Sequence, residues 1–237
     1  MFLAAEKSSK FGSKIDSVFY PFDKRHLSKA DVFCYYKDMN IQTHNQFLLQ
    51  QKLTLLINRY EYFLYDNDIK GEQIAFAEQK RFAFKEAITV WTNDSRAEVL
   101  FNVKAEKILD IHGKFIVKDS QDNLIGYCRK AFKASLLRST WEVYDAQDHL
   151  LFIVKERSHG MAIFRRLAQF IPYLSDIAPF FPFNFVYEKD GKVVGHHTRT
   201  WGRLADQYKQ SLDNELGSVD RRLILALGIL LDALQDR

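Results

Sequence analysis

The nine residues from Leu223 to Leu231 are apolar without interruption, and they constrain the fold more than any other stretch of the chain. The composition around them predicts a helix that starts at Val219 and runs to Leu234. Ser218 is placed to cap it, and Asp220 lies near its positive end. A surface helix shows one apolar stripe, whereas this one is apolar on every face and must be buried all round. Its rise from 219 to 234 is about 24 Å. The apolar run falls short of the ~20 residues that cross a bilayer as a helix. Packing on one sheet face and insertion into a membrane are weaker alternatives to the centre of a closed β-barrel.

The rest of the chain supplies the strands for such a barrel. It has 20 Phe and 11 Tyr but only 4 Pro, a composition that favours strands. From about residue 46 an aromatic-rich stretch, an Asp-centred turn and a second apolar stretch recur as a hairpin signal. Tyr60–Tyr65 leads through Asp66-Asn67-Asp68 to Gln73–Ala77, and Ile88–Thr92 through Asn93-Asp94-Ser95 to Val99–Val103. The pattern returns at Asp119, Asp145 and Asp190. Five hairpins give ten strands, and Phe47–Ile57 and Ile108–Ile111 are candidates for more. An open sheet of that size curls or closes to remove its edges. The longer gap before the last hairpin is filled by Met161–Ile177, whose apolar spacing predicts one inserted helix, interrupted near Pro172. The predicted fold is therefore mainly β: a closed antiparallel barrel of roughly twelve strands around a buried C-terminal helix. Residues 1–45 read as an irregular N-terminal arm and residues 46–237 as the barrel domain.

Particular segments carry a family resemblance. Gln79-Lys80-Arg81-Phe82-Ala83-Phe84-Lys85-Glu86 and Ile88-Thr89-Val90-Trp91-Thr92-Asn93-Asp94 resemble the LURP-one-related family. So do Val103–Asp110, the strand Ile125-Gly126-Tyr127-Cys128-Arg129-Lys130 and, most closely, Ser135–Asp145. That family is grouped with tubby C-terminal domains and phospholipid scramblases, and the resemblance implies the same barrel around a central helix. It implies little about activity. Tubby domains bind phosphoinositide headgroups and scramblases are linked to lipid movement, so the fold alone assigns neither role.

The chemistry-bearing residues point away from catalysis. No Gly-x-Ser-x-Gly elbow, phosphate loop or metal-ligand spacing is present in the sequence, so no catalytic residue, cofactor or metal is expected. His196 and His197 are adjacent on a predicted strand and point to opposite faces, which prevents joint ligation. Asp110 and His112 are two apart and share a face. The net charge of +4 is modest, and no nucleic-acid reading motif accompanies it, so nucleic acid is not an expected partner. Arg129, Lys130, Lys133 and Arg138, by contrast, form a basic run with no acid between them. Such a run can hold an anionic phospholipid headgroup at a barrel rim. The expected function is a non-enzymatic binding module that contacts anionic lipid or a membrane surface through these four residues. The alternative is a protein-interaction or regulatory scaffold with no lipid ligand. Two cysteines, Cys34 and Cys128, make no disulfide framework. With no signal sequence read at the N-terminus, a cytoplasmic protein, peripheral at the membrane, is expected.

Overall fold

The computed structural model describes residues 41–53, 57–80, 87–106, 113–131, 139–158, 184–200 and 206–235. The inserted helix expected over 161–177 and the pair Asp110 and His112 lie outside the described residues.

Twelve strands run in chain order: β1 (Gln46–Leu53), β2 (Ile57–Asp66), β3 (Ile69–Lys80), β4 (Ile88–Trp91), β5 (Val99–Ala105) and β6 (Lys114–Asp119). They continue with β7 (Leu124–Lys130), β8 (Thr140–Asp145), β9 (Leu150–Glu156), β10 (Asn184–Lys189), β11 (Lys192–Thr200) and β12 (Asp206–Leu212). Each strand pairs antiparallel with the next, and β1 closes the barrel by pairing with β12. Closure gives each of the described strands a neighbour on both sides.

The hairpin turns explain the recurring acids. Asp119 Oδ1 accepts the N–H groups of Gln121 and Asn123, and Asp145 Oδ1 accepts those of Gln147 and His149. In both turns the following Asp is in the left-handed region, with φ 68° at Asp122 and 69° at Asp148. The carboxylate replaces a backbone acceptor and the short polar residue tolerates positive φ. Asn67-Asp68 and Asp190-Gly191 are two-residue turns with positive φ at both positions, as the twist of a hairpin requires.

The helix α1 (Arg221–Gln235) fills the barrel. Leu223, Ile224, Leu225, Leu227, Ile229 and Leu230 are each no more than 1% exposed, which is the all-round burial read from the sequence. The start differs from the expectation. Asp220, not Ser218, is the cap, because its Oδ1 accepts the Arg222 N–H at 2.9 Å and its C=O accepts the Leu223 N–H. Residues 216–219 are used in a tight turn before it, in which Val219 N–H reaches the Leu216 C=O.

Arg221 clamps the helix entry. Its buried guanidinium donates to the carbonyls of His44, Leu216 and Val219 and to Asn45 Oδ1, all at 2.7–2.9 Å. Gln42 holds Asp220 and the Arg221 N–H from the same side. The segment just before β1 is thereby tied to the first turn of α1.

Gly228 lets two wall residues reach the helix backbone. Tyr62 Oη donates to the Leu225 C=O at 2.7 Å, and Gln210 Nε2 donates to the Ile224 C=O at 3.1 Å. A Cβ at Gly228 would fall on the Tyr62 hydroxyl. Glycine within a helix costs about 1 kcal/mol against alanine, and here the close approach offsets it. At the far end the Tyr208 O–H donates to the buried Asp232 carboxylate. Burial first, and that carboxylate second, push the Tyr60 and Tyr208 hydroxyls well above the usual phenol range. Among the described residues no helix is long and apolar enough to cross a membrane.

Candidate functional site: the rim where β7 gives way to β8

The strand order sorts the connections by barrel end. The residues between β2 and β3, β4 and β5, β6 and β7, β8 and β9, and β10 and β11 all lie at one end, with 213–220 leading into α1. These are the short, Asp-rich turns. Connections 54–56, 81–87, 106–113, 131–139, 157–183 and 201–205 join the strands at the other end. The two described members of the candidate basic run lie at that second end. Arg129 and Lys130 close β7, while Lys133 and Arg138 fall in connection 131–139 and lie outside the described residues.

The two described members point to opposite faces of the wall, as adjacent strand residues must. Arg129 is on the outer face. Its Nε and Nη2 both donate to Glu142 Oε2, at 2.9 and 2.6 Å, and Nη2 also donates to the Tyr144 hydroxyl. Its hydrogen bond to the Glu142 carboxylate raises the Arg129 pKa above its ordinary value. Tyr144 stacks on Tyr127 with ring centroids 4.6 Å apart, and Lys114 Nζ lies 4.3 Å from the Tyr127 ring centre. Arg129 therefore belongs to a cross-strand cluster with its own counter-ion. Lys130 is on the lumen-facing side at the rim, with Nζ 5.8 Å from the ring centre of the fully buried Trp141.

The histidine pair separates as expected. His196 is exposed and His197 is buried, between Phe185 and a stacked Tyr208 ring at 5.0 Å. Neither ring nitrogen of His197 has a hydrogen-bond partner, and burial pushes its pKa down to about 3. The unfolded value is near 6.5. Between those values the unfolded chain takes up a proton that the folded chain refuses. Stability contributed by a neutral His197 is thus full above about pH 6.5 and is lost as pH falls toward 3, by up to ~1.4 kcal/mol per pH unit. Replacing His197→Phe should flatten the fall in melting temperature between pH 6 and 4. An acid limb identical to that of the parent protein would contradict this account.

The burial of His197 gives it no access to a ligand from outside. The thiol of Cys128 is likewise buried, with its pKa pushed up to about 12 by desolvation, which makes it inert. Among the described residues no group of three His, Cys, Asp or Glu side chains gathers into a metal-holding cluster.

A closed up-and-down barrel filled by its own apolar C-terminal helix defines the class of this protein. The LURP-one-related family model matches residues 73–232, and the chain belongs to that family. No curated protein matches it. Among solved structures, the X-ray structure of an Arabidopsis thaliana protein aligns over 83% of this chain and 96% of that one, at 13% identity and a TM-score of 0.33. At those values the alignment adds nothing to the family assignment.

Proposed function

We propose that the barrel is a non-enzymatic module that binds anionic phospholipid headgroups through the rim between β7 and β8. The observation that supports this reading is the charge of that rim. From Arg129 to Arg138 the chain carries four basic residues and no acid, and Lys130 stands at the strand end where a headgroup can approach. Arg129 shares its charge with Glu142, and on this reading the four basic residues attract the headgroup together. Near an anionic leaflet each such charge contributes about 1 kcal/mol, and the attraction fades within a Debye length of ~10 Å at 0.1 M salt.

The double variant Lys130→Glu/Lys133→Glu tests this directly. Reversing two charges should weaken binding to phosphatidylserine-containing vesicles by about two orders of magnitude or more, with an unchanged thermal transition. If the folded double variant binds such vesicles as well as the parent does, the rim is not the contact, and the protein-interaction scaffold becomes the better reading.

A further inference from the structure

Two neighbouring hairpins of the wall are built alike, and each leaves its turn on an exposed leucine. Asp119-Ser120-Gln121-Asp122-Asn123-Leu124 and Asp145-Ala146-Gln147-Asp148-His149-Leu150 correspond position for position. In both, the first Asp accepts two backbone N–H groups of the turn, the second Asp has positive φ, and the register slips beside the leucine that opens the returning strand. The next residue, Ile125 or Leu151, packs against the core, whereas Leu124 and Leu150 are 44% and 48% exposed. Among the described residues the exposed large apolar side chains are these two, Ile69 and Val193. All four lie at the turn end, at the starts of β3, β7, β9 and β11. One exposed apolar side chain is ordinary. Four at a single end, two of them side by side in matching hairpins, mark that end as a contact surface.

We infer that these two turns dock a basic amphipathic helix of a partner protein, its apolar face on Leu124 and Leu150 and its cations among the aspartates. Charge selects the partner. Residues 118–124 and 144–150 hold four aspartates against the single base Lys118, a net of −3 with His149 neutral, and Asp122 and Asp148 are exposed close to the leucines. Spacing selects the helix. The pairing of β7 with β8, in which Gly126 faces Asp145, sets the turns side by side. Strands β7 and β9 are two strand spacings apart, about 10 Å, and residues i and i+7 of a helix are about 10.5 Å apart along its axis. One helix face can meet both leucines and seat a side chain between them. A partner strand has no place to add, because each described strand already has a neighbour on both sides. A second copy meeting this one turn end to turn end would set aspartates against aspartates. The surface lies at the end opposite to Arg129 and Lys130 and is independent of the lipid reading.

Three fluorescent peptides of about five helical turns test the surface against the full chain. The first carries leucine on one face and lysine elsewhere, the second has glutamate in place of lysine, and the third has serine in place of leucine. Fluorescence anisotropy should show the leucine–lysine peptide binding at least about tenfold more tightly than either of the others. In the Leu124→Ser/Leu150→Ser protein that binding should weaken by about tenfold or more, because less apolar surface leaves water, with an unchanged thermal transition. The Asp122→Asn/Asp148→Asn protein keeps residues that tolerate positive φ. It should bind the peptide severalfold more weakly and with less dependence on salt, and it carries the test if the leucine variant does not fold. A serine–lysine peptide that binds as tightly as the leucine–lysine one reduces the contact to charge adhesion and overturns the inference. So does parent-like affinity in either folded double variant, which places the peptide elsewhere, or the absence of any binding at low salt. Failure of the protein to bind anionic vesicles leaves this surface standing.

Discussion

Replacing Leu227→Asp should abolish the cooperative unfolding transition or lower its midpoint drastically. Leu227 is fully buried, with Leu223, Ile224, Leu230 and Leu231 about it on the same helix and the barrel wall beyond. A carboxylate there would be buried among apolar side chains, at a cost of several kcal/mol. A single domain has only about 5–15 kcal/mol of stability to lose. The control is Leu227→Ala, which leaves a cavity and should cost about 2–5 kcal/mol. Calorimetry of the three proteins separates the effects. A Leu227→Asp protein that melts with the parent would mean that the helix is not the centre of the barrel.

Gly228→Ala is expected to destabilise nearly as much, although alanine is the better helix former. The added methyl would lie 2.2 Å from the Tyr62 hydroxyl oxygen and 2.9 Å from Gln210 Nε2. Tyr62 is held to the Leu225 carbonyl, and Gln210 is held to both the Ile224 carbonyl and the Tyr187 hydroxyl. Displacing them leaves buried polar groups without partners, at about 1–3 kcal/mol each, and forces the helix away from β2 and β12. In an isolated helical peptide the same substitution would stabilise by about 1 kcal/mol. The opposite sign in the whole protein is the signature of the close approach. Chemical denaturation of Gly228→Ala should show a lower midpoint, and a raised midpoint would contradict this packing.

Most of the barrel is written locally. Asp119 and Asp145 fold their own turns, and the flanking β-branched and aromatic residues alternate with period two, so the hairpins were legible from sequence. The helix was legible because no soluble surface accepts a segment apolar on all faces. The twelfth strand was not. Asp206-Gln207-Tyr208-Lys209-Gln210-Ser211-Leu212 has little apolar character, because its lumen-facing Tyr208 and Gln210 are there to hydrogen-bond Asp232 and the helix backbone. Residues that serve a buried polar contact look like surface residues in one dimension. The cap misled for a related reason: Ser218 and Asp220 are both good caps, and only the turn closed by Val219 and Leu216 decides between them.

The candidate site was legible as a charge run but not as a geometry. Alternation along β7 sends Arg129 outward to Glu142 and turns Lys130 toward the lumen over Trp141. Glu142 lies thirteen residues away in sequence, and only the β7–β8 register makes it the partner of Arg129.

Co-sedimentation of the unmodified protein with vesicles tests the functional claim most directly. Vesicles of phosphatidylcholine alone are compared with vesicles carrying a rising fraction of phosphatidylserine, first at low ionic strength and then with added salt. The account predicts negligible binding to the neutral vesicles, binding that grows steeply with anionic content, and release as salt shortens the Debye length. A protein that stays in the supernatant with anionic vesicles at low salt, or that binds neutral and anionic vesicles alike, contradicts it.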